Sequence, residues 1–252
     1  SEDTCDFKVF DNVWNYDLCS SYLASACAHC YPMSKGERVV VKNEEDIKGN
    51  LWIGYVKFDR IRSNGVAFIS TKQCIKLAGA SYKNGKVEMA DSLTIALTSV
   101  DYESIKRNYL FERVTFGKVW TYKRGLLPKE YLVKLLELYK DKTELKGVPD
   151  KKVDYTIIKS KLNAASFGIL CQDPMKKKTT YRNGMWYEEE ISDEQLLEEY
   201  NSSDTRFGFY LWGVFISAYS RFHLVACIKA MGNDFLYSDT DSAKIINGLK
   251  HE

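Results

Sequence analysis

The sequence predicts an α+β fold in which antiparallel strands and helices are interspersed. Three observations carry this. β-prone runs stand beside hairpin-type turns at Ser63-Asn64-Gly65, Asn84-Gly85 and Asn183-Gly184. Helical apolar spacing recurs, most clearly over residues 128–146 and 213–231. The strands and helices do not follow the βαβ alternation that a parallel sheet requires. The chain contains no internal repeat.

Taken in order, residues 8–16 read as extended chain ending at Asp17. Leu18 to Cys30 has helical spacing, with Pro32 as a stop. Val39-Val40-Val41, Trp52 to Val56 and Val66 to Ile69 read as strands. A helix is expected from Ser99 to Tyr109. A longer one runs from Pro128, a favoured first helical residue, to Lys146. Its apolar stripe is Leu132, Leu135, Leu136 and Tyr139, and Gly147-Val148-Pro149 ends it. A further helix covers Asp154 to Phe167. Thr179 to Tyr187 forms a hairpin with Asn183-Gly184 at its tip. Ser192 and Gln195 make a capping box for a short helix to Tyr200. Gly213 to Met231 is helical, and Asp234 to Lys244 reads as strand, turn, strand.

At 252 residues the chain can bury a sizeable core as one large or two small domains. Its 36 basic and 34 acidic side chains leave a net charge of +2, so nucleic-acid binding must rest on local basic patches. Seven scattered cysteines are no disulfide framework and point to a reducing, cytoplasmic setting. The acidic, polar start is not a signal peptide. The apolar run Phe207 to Ser220 is too short for a membrane span, is bracketed by Arg206 and Arg221, and reads as a buried helix. No membrane partner is expected. Cys27-Ala28-His29-Cys30 looks like half a zinc site, but no second Cys/His pair stands at a suitable spacing.

Three segments carry chemistry. In Tyr237-Ser238-Asp239-Thr240-Asp241-Ser242, strand alternation can aim both aspartates the same way. Their repulsion would be relieved by Mg2+, which prefers hard oxygen ligands, although the segment also suits a plain polar turn. Tyr16-Asp17-Leu18-Cys19-Ser20-Ser21-Tyr22 places an aspartate where a strand gives way to a helix. It is either an ordinary N-cap or a third carboxylate completing a two-metal cradle for phosphoryl displacement. In Lys159-Ser-Lys161-Leu-Asn163-Ala-Ala-Ser-Phe167-Gly168, Lys159, Asn163 and either Ser166 or Phe167 share one helix face, so a cation, an amide and an aromatic ring can stand together. That face suits a triphosphate and a base; equally, a lysine can be solvated beside a core phenylalanine.

Together the three segments resemble, in order and content, the polymerase motifs of family B DNA polymerases: Asp-x-x-Ser-Leu-Tyr-Pro, a Lys-x-x-x-Asn-Ser-x-Tyr-Gly helix and a Tyr-x-Asp-Thr-Asp-Ser hairpin. The flanks Gly213-Val-Phe-Ile-Ser-Ala-Tyr-Ser-Arg221, Met89-Ala-Asp-Ser, Ser99-Val-Asp-Tyr-Glu-Ser and Gly125-Leu-Leu resemble the protein-primed branch of small tailed phages and linear plasmids. The resemblance covers nearly the whole chain. It implies an antiparallel palm sheet with helices, helical fingers and an inserted β-rich subdomain. Residues 1–32 and 213–252 would form the palm, 33–120 an insertion resembling the first terminal-protein region, 121–170 the fingers, and 171–212 a hairpin insertion resembling the second.

The resemblance also assigns roles. Asp17 and Asp239 would be metal-bridging catalytic carboxylates, with the Leu18 carbonyl as a further ligand and Asp241 supporting the site. Two Mg2+ ions are implied, with Mn2+ able to substitute. Tyr22 would lie under the incoming sugar and exclude a 2′-hydroxyl. Lys159 and Lys142 would bind the triphosphate, Asn163 would line the nucleotide site, and Phe167 would stand for the motif tyrosine at the nascent base pair. Ser20 and Arg221 would touch the primer strand or the groups that support the site from behind. Lys176, Lys177, Lys178 and Arg182 would contact DNA phosphates, although lysines also protect a solvated hairpin edge.

The implied function is DNA-directed DNA synthesis in a bacterial host cell, with template-primer DNA, dNTP and a terminal protein as partners. The alternative is a catalytically incompetent fragment that binds DNA or terminal protein. There are departures from the pattern. Leu23 replaces the motif proline, and one extra residue lies between Asn163 and Gly168. The family's exonuclease domain, upstream glycine-rich motif, Lys-x-Tyr motif and thumb have no counterpart in these residues, so proofreading is not expected here.

Overall fold

The computed structural model describes residues 9–171, 177–202 and 210–248. Its strands are β1 (Val13–Asp17), β2 (Tyr31–Pro32), β3 (Glu37–Val39), β4 (Leu51–Ser63), β5 (Cys74–Ala78), β6 (Ser81–Lys83), β7 (Lys86–Thr98), β8 (Tyr109–Leu110), β9 (Arg113–Tyr122), β10 (Arg124–Gly125), β11 (Lys177–Arg182), β12 (Met185–Glu190), β13 (Phe235–Asp239) and β14 (Ser242–Ile246). Its helices are α1 (Ser21–Ala28), α2 (Ser99–Asn108), α3 (Lys129–Leu145), α4 (Lys152–Asn163), α5 (Asp193–Ser202) and α6 (Tyr210–Met231). Helices and antiparallel sheets are mixed, as the sequence predicts. The chain divides into two compact units: residues 1–127 with 215–252, and residues 128–214.

In the first unit a seven-stranded sheet runs β3-β9-β4-β7-β5, with β6 on β7 and β8 on β4. Long strands β4 and β7 pair from Ile53–Thr98 to Arg62–Met89. Their inward residues Val56, Phe58, Ile61, Leu93 and Ile95 are buried with Tyr102 and Ile105 of α2 and Val119 of β9. Helix α2 starts with a capping box in which Thr98 and Asp101 exchange hydrogen bonds. A separate three-stranded sheet has the order β1-β14-β13. Its central strand buries Ala243 and Ile245 and turns Lys244 to solvent, so one face is core and the other open.

The predicted strand Val66–Ile69 does not form. Tyr109 takes the place of a ladder there: its hydroxyl accepts from the backbone N–H groups of Phe68 (2.9 Å) and Ile69 (3.1 Å) and donates to the Val87 carbonyl (2.9 Å). Burial pushes the Tyr109 phenol up to about 12. The helix expected from Leu18 begins only at Ser21, because Ser20 adopts the left-handed conformation.

In the second unit α3 packs on α4, and Leu135 of α3 and Leu162 of α4 are buried. Of the apolar stripe expected on α3, only Leu135 is fully buried, and Leu136 is 50% exposed. Helix α4 ends at Asn163 and passes into a π-helical turn at Ala164–Gly168. Strands β11 and β12 make the expected hairpin, with Asn183 and Gly184 both at positive φ, the type I′ requirement. The capping box of α5 is also present: Gln195 N–H donates to Ser192 Oγ and Ser192 N–H to Gln195 Oε1, both at 3.3 Å.

The apolar run that reads as too short to span a bilayer belongs in part to α6, which has 22 residues. Residues 210–234 are long and apolar enough to cross a membrane by length and composition. The same helix buries Phe215, Ile216, Ala218, Leu224, Val225 and Ile228, a pattern that a core helix shares.

Candidate active site

The open face of the three-stranded sheet is built by register. Asp17, the last residue of β1, lies opposite Ser242 of β14, and Asp239, the last residue of β13, lies opposite the same Ser242. Residues directly opposite in antiparallel strands point to the same face, so Asp17, Ser242 and Asp239 form one row. Strand spacing puts the two aspartate backbones about 10 Å apart, a gap that two carboxylates holding ions about 4 Å apart can span. Both aspartates are exposed. The next row on this face is Asn15, Lys244 and Tyr237, with the Lys244 ammonium 5.9 Å from the Tyr237 ring.

Two tight turns hold the row in place. After β1, the Leu18 N–H donates to the Asp241 carbonyl at 2.8 Å, which ties the end of β1 to the turn between β13 and β14. Ser20 then has φ 49°, and in the other turn Thr240 has φ 53°. Left-handed backbone at a β-branched residue is costly. Thr240 Oγ1 donates to Asp239 Oδ1 at 3.1 Å, and Ser242 Oγ to the Asp239 carbonyl at 3.1 Å. Asn15 Nδ2 approaches Asp17 Oδ2 at 3.5 Å.

Among the described residues, no lysine or arginine forms a salt bridge with Asp17, Asp239 or Asp241. Exposed oxygen donors of this kind fit a hard divalent cation. Also among the described residues, no three His, Cys, Asp or Glu side chains gather into a ready-made metal cluster. The three aspartates are therefore not closed around a common centre: the register aligns two, and the third, half-buried Asp241, sits in the turn.

Tyr22 is half-buried in the first turn of α1, two residues past Ser20. Arg221 of α6, assigned by resemblance to the primer strand or to supporting groups, is engaged within the protein. Its guanidinium donates to both Asp101 oxygens at 3.0 and 3.2 Å and to Ser217 Oγ at 3.3 Å. Asp101 is the residue that caps α2. The resemblance rests on short motifs, and none of them marks Asp101 as the partner of Arg221.

At the other end of α1, His29 Nε2 lies 2.9 Å from His223 Nε2, and the His29 ring stacks on Tyr219 at 3.9 Å. Burial, and then the charge of His223, lower the His29 imidazole below its ordinary value. Cys30 has a long contact of 3.8 Å with Arg124, and Cys27 is exposed. His29 and Cys30, with Glu44, Tyr102, Lys106 and Arg124, line part of a cleft of about 740 Å3. Asp17, Asp239 and Asp241 do not line it.

In the second unit, Lys159 and Asn163 are exposed on α4, Ser166 is buried at 2% and Phe167 is half-buried. Lys142 lies in the last turn of α3, its ammonium 4.7 Å from the Tyr139 ring. Arg182 reaches Glu189 across the hairpin at 3.8 Å. Lys177 and Lys178 lie in β11, and Lys176 lies outside the described residues. The hairpin also exposes a cross-strand aromatic pair that the sequence motifs do not mark, Tyr181 and Trp186, with ring centroids 5.0 Å apart. Lys244 and Asn15, on the aspartate face, are likewise unmarked. The signal for both is the period of two that already links Ser242 to Lys244 and Asp17 to Asn15.

No protein-family model and no curated protein matches the chain. Solved structures do. Phi29 DNA polymerase in a ternary complex with primer-template DNA and incoming nucleotide substrates superposes with a TM-score of 0.67 at 18% identity. The binary complex of the same polymerase with primer-template DNA gives 0.66 at 18%, and an orthorhombic crystal form gives 0.64 at 19%. Each match covers 95% of this chain and 39% of the other. The chain thus has the fold of a part of phi29 DNA polymerase.

Proposed function

We propose that this chain is the palm-and-fingers core of a DNA-directed DNA polymerase of the protein-primed type. The observation that carries the reading is the row Asp17–Ser242–Asp239, which sets two exposed carboxylates from distant parts of the sequence on one open sheet face. The fold shared with part of a DNA polymerase supports it. In the proposed reaction a primer 3′-hydroxyl attacks the α-phosphate of a dNTP and pyrophosphate leaves.

Asp17 and Asp239 would hold the divalent cations, Mg2+ or Mn2+, with the Leu18 carbonyl and Asp241 in support. When bound, such ions lower the pKa of the attacking hydroxyl and neutralise the triphosphate. The protein's own part is positional. The two left-handed turns fix the aspartates, Lys159 and Lys142 would draw in the triphosphate, and Asn163 and Phe167 would meet the nucleotide. Tyr22 would press against the sugar. In this reading residues 33–120 and the β11–β12 hairpin are the two insertions that face DNA and a terminal protein, and the setting is the cytoplasm of a bacterial host.

Primer extension tests the reading. The chain should extend a template-primer when given dNTP and Mg2+, and Asp239→Ala should reduce extension to background. Equal extension by both proteins, or template-primer binding with no Mg2+-dependent extension, would contradict it.

A further inference from the structure

The middle motif is one residue too long, and α4 shows where the extra residue goes. An α-helix turns about 100° per residue, so a residue seven positions after Lys159 lies about 20° from it and one eight positions after lies about 80° away. The family spacing puts its aromatic residue at the seventh position. Here that position is Ser166, which is buried, and the aromatic residue, Phe167, is the eighth. An unbroken α-helix would carry Phe167 off the face of Lys159 and Asn163.

The helix is not unbroken. Between Ala164 and Gly168 it widens into a π turn, in which the Ile169 N–H donates to the Ala164 carbonyl, five residues back, at 2.8 Å. A π turn takes up about one extra residue per turn, and Phe167 is the fourth of its five residues, so most of that one-position shift is already in place at Phe167. α-Helical bonding resumes at once, with the Cys171 N–H on the Phe167 carbonyl at 3.1 Å. The widening also takes the Ile169 N–H from the Ala165 carbonyl, its partner in a regular helix. The Tyr131 hydroxyl of α3 donates to that carbonyl instead, at 2.5 Å. Burial of Tyr131 pushes its phenol up to about 12, so it remains a donor.

Resting on the polymerase reading, we infer that the π turn, pinned by the Tyr131 hydroxyl, returns Phe167 to the face of α4 that carries Lys159 and Asn163, and that Tyr131 is a positioning residue for the incoming nucleotide. The inserted residue and the tyrosine are one device. Removing the insertion makes the tyrosine's hydroxyl dispensable.

Titration with a fluorescent mant-dATP, in the presence of template-primer and Mg2+, tests this on four proteins: the unaltered chain, Tyr131→Phe, a deletion of Ala165, and the two changes combined. Tyr131→Phe should weaken binding about fivefold, the scale of one hydrogen bond. The Ala165 deletion should bind within about twofold of the unaltered chain, and in that background Tyr131→Phe should have no effect. A well-folded deletion variant that no longer binds, or an equal loss from Tyr131→Phe in both backgrounds, overturns the inference alone. No binding by the unaltered chain overturns the polymerase reading and this inference with it. If the deletion does not fold, Tyr131→Phe combined with Phe167→Ala decides. The double variant should bind like Phe167→Ala alone, and additive losses overturn the inference.

Discussion

Three residues other than Asn, Asp or Gly hold a positive φ among the described residues, namely Ser20, Arg60 and Thr240. Two of the three flank the aspartate row. Thr240 is the more strained, since a β-branched side chain crowds left-handed backbone where Asn is tolerated. Thr240→Asn should therefore raise stability by about 1 kcal/mol, read as a higher urea midpoint with an unchanged slope. A lower midpoint would show that the Thr240–Asp239 hydrogen bond outweighs the strain. The aspartates themselves are legible in the sequence, because Tyr-x-Asp-Thr-Asp-Ser is a dense motif. Tyr131 is not: its role depends on a carbonyl 34 positions away, and no local pattern encodes that meeting.

At the scale of elements, the sequence marks helices and turns better than strands. Capping boxes and Asn-Gly turns are local chemistry, so α5 and the β11–β12 hairpin can be read directly. Strands β7 and β9 escape a sequence reading, and β4 reads too short because its apolar alternation is interrupted at the consecutive charged residues Asp59 and Arg60. Val66–Ile69 fails as a strand for the opposite reason: the composition is right, but the backbone partners are Tyr109 and Val87. Tyr109→Phe removes the acceptor shared by the Phe68 and Ile69 N–H groups and should cost about 2 kcal/mol, measured by denaturant unfolding. A loss below about 0.5 kcal/mol would mean that water replaces the hydroxyl.

The contact of α1 with α6 through His29 and His223 gives a pH dependence. His29 is lowered in the folded protein, by burial first and then by His223, so the unfolded chain takes up the proton earlier as pH falls. The stability of this contact is complete above the unfolded value of about 6.5 and declines as pH drops from there through the lowered folded value. Thermal unfolding between pH 7.5 and 5 should show this decline, and it should flatten in His29→Gln. An unchanged slope in the variant would remove His29 from the account.

At the scale of the molecule, the coarse architecture is legible: mixed helices and antiparallel strands, with motifs spread from Asp17 to Asp241. What composition cannot supply is how the first unit is joined. Arg221 links α6 to the cap of α2 through Asp101, and the register of β14 brings together residues 17 and 239, more than two hundred positions apart. Phi29 DNA polymerase shares this fold over 39% of its own length; the chemistry proposed for this chain rests on its own sheet face. The most direct test is an anomalous-difference map from crystals soaked in Mn2+. Density should lie between the Asp17 and Asp239 carboxylates and disappear in Asp239→Asn. Mn2+ bound only elsewhere, or density at this face that persists in the variant, would contradict it.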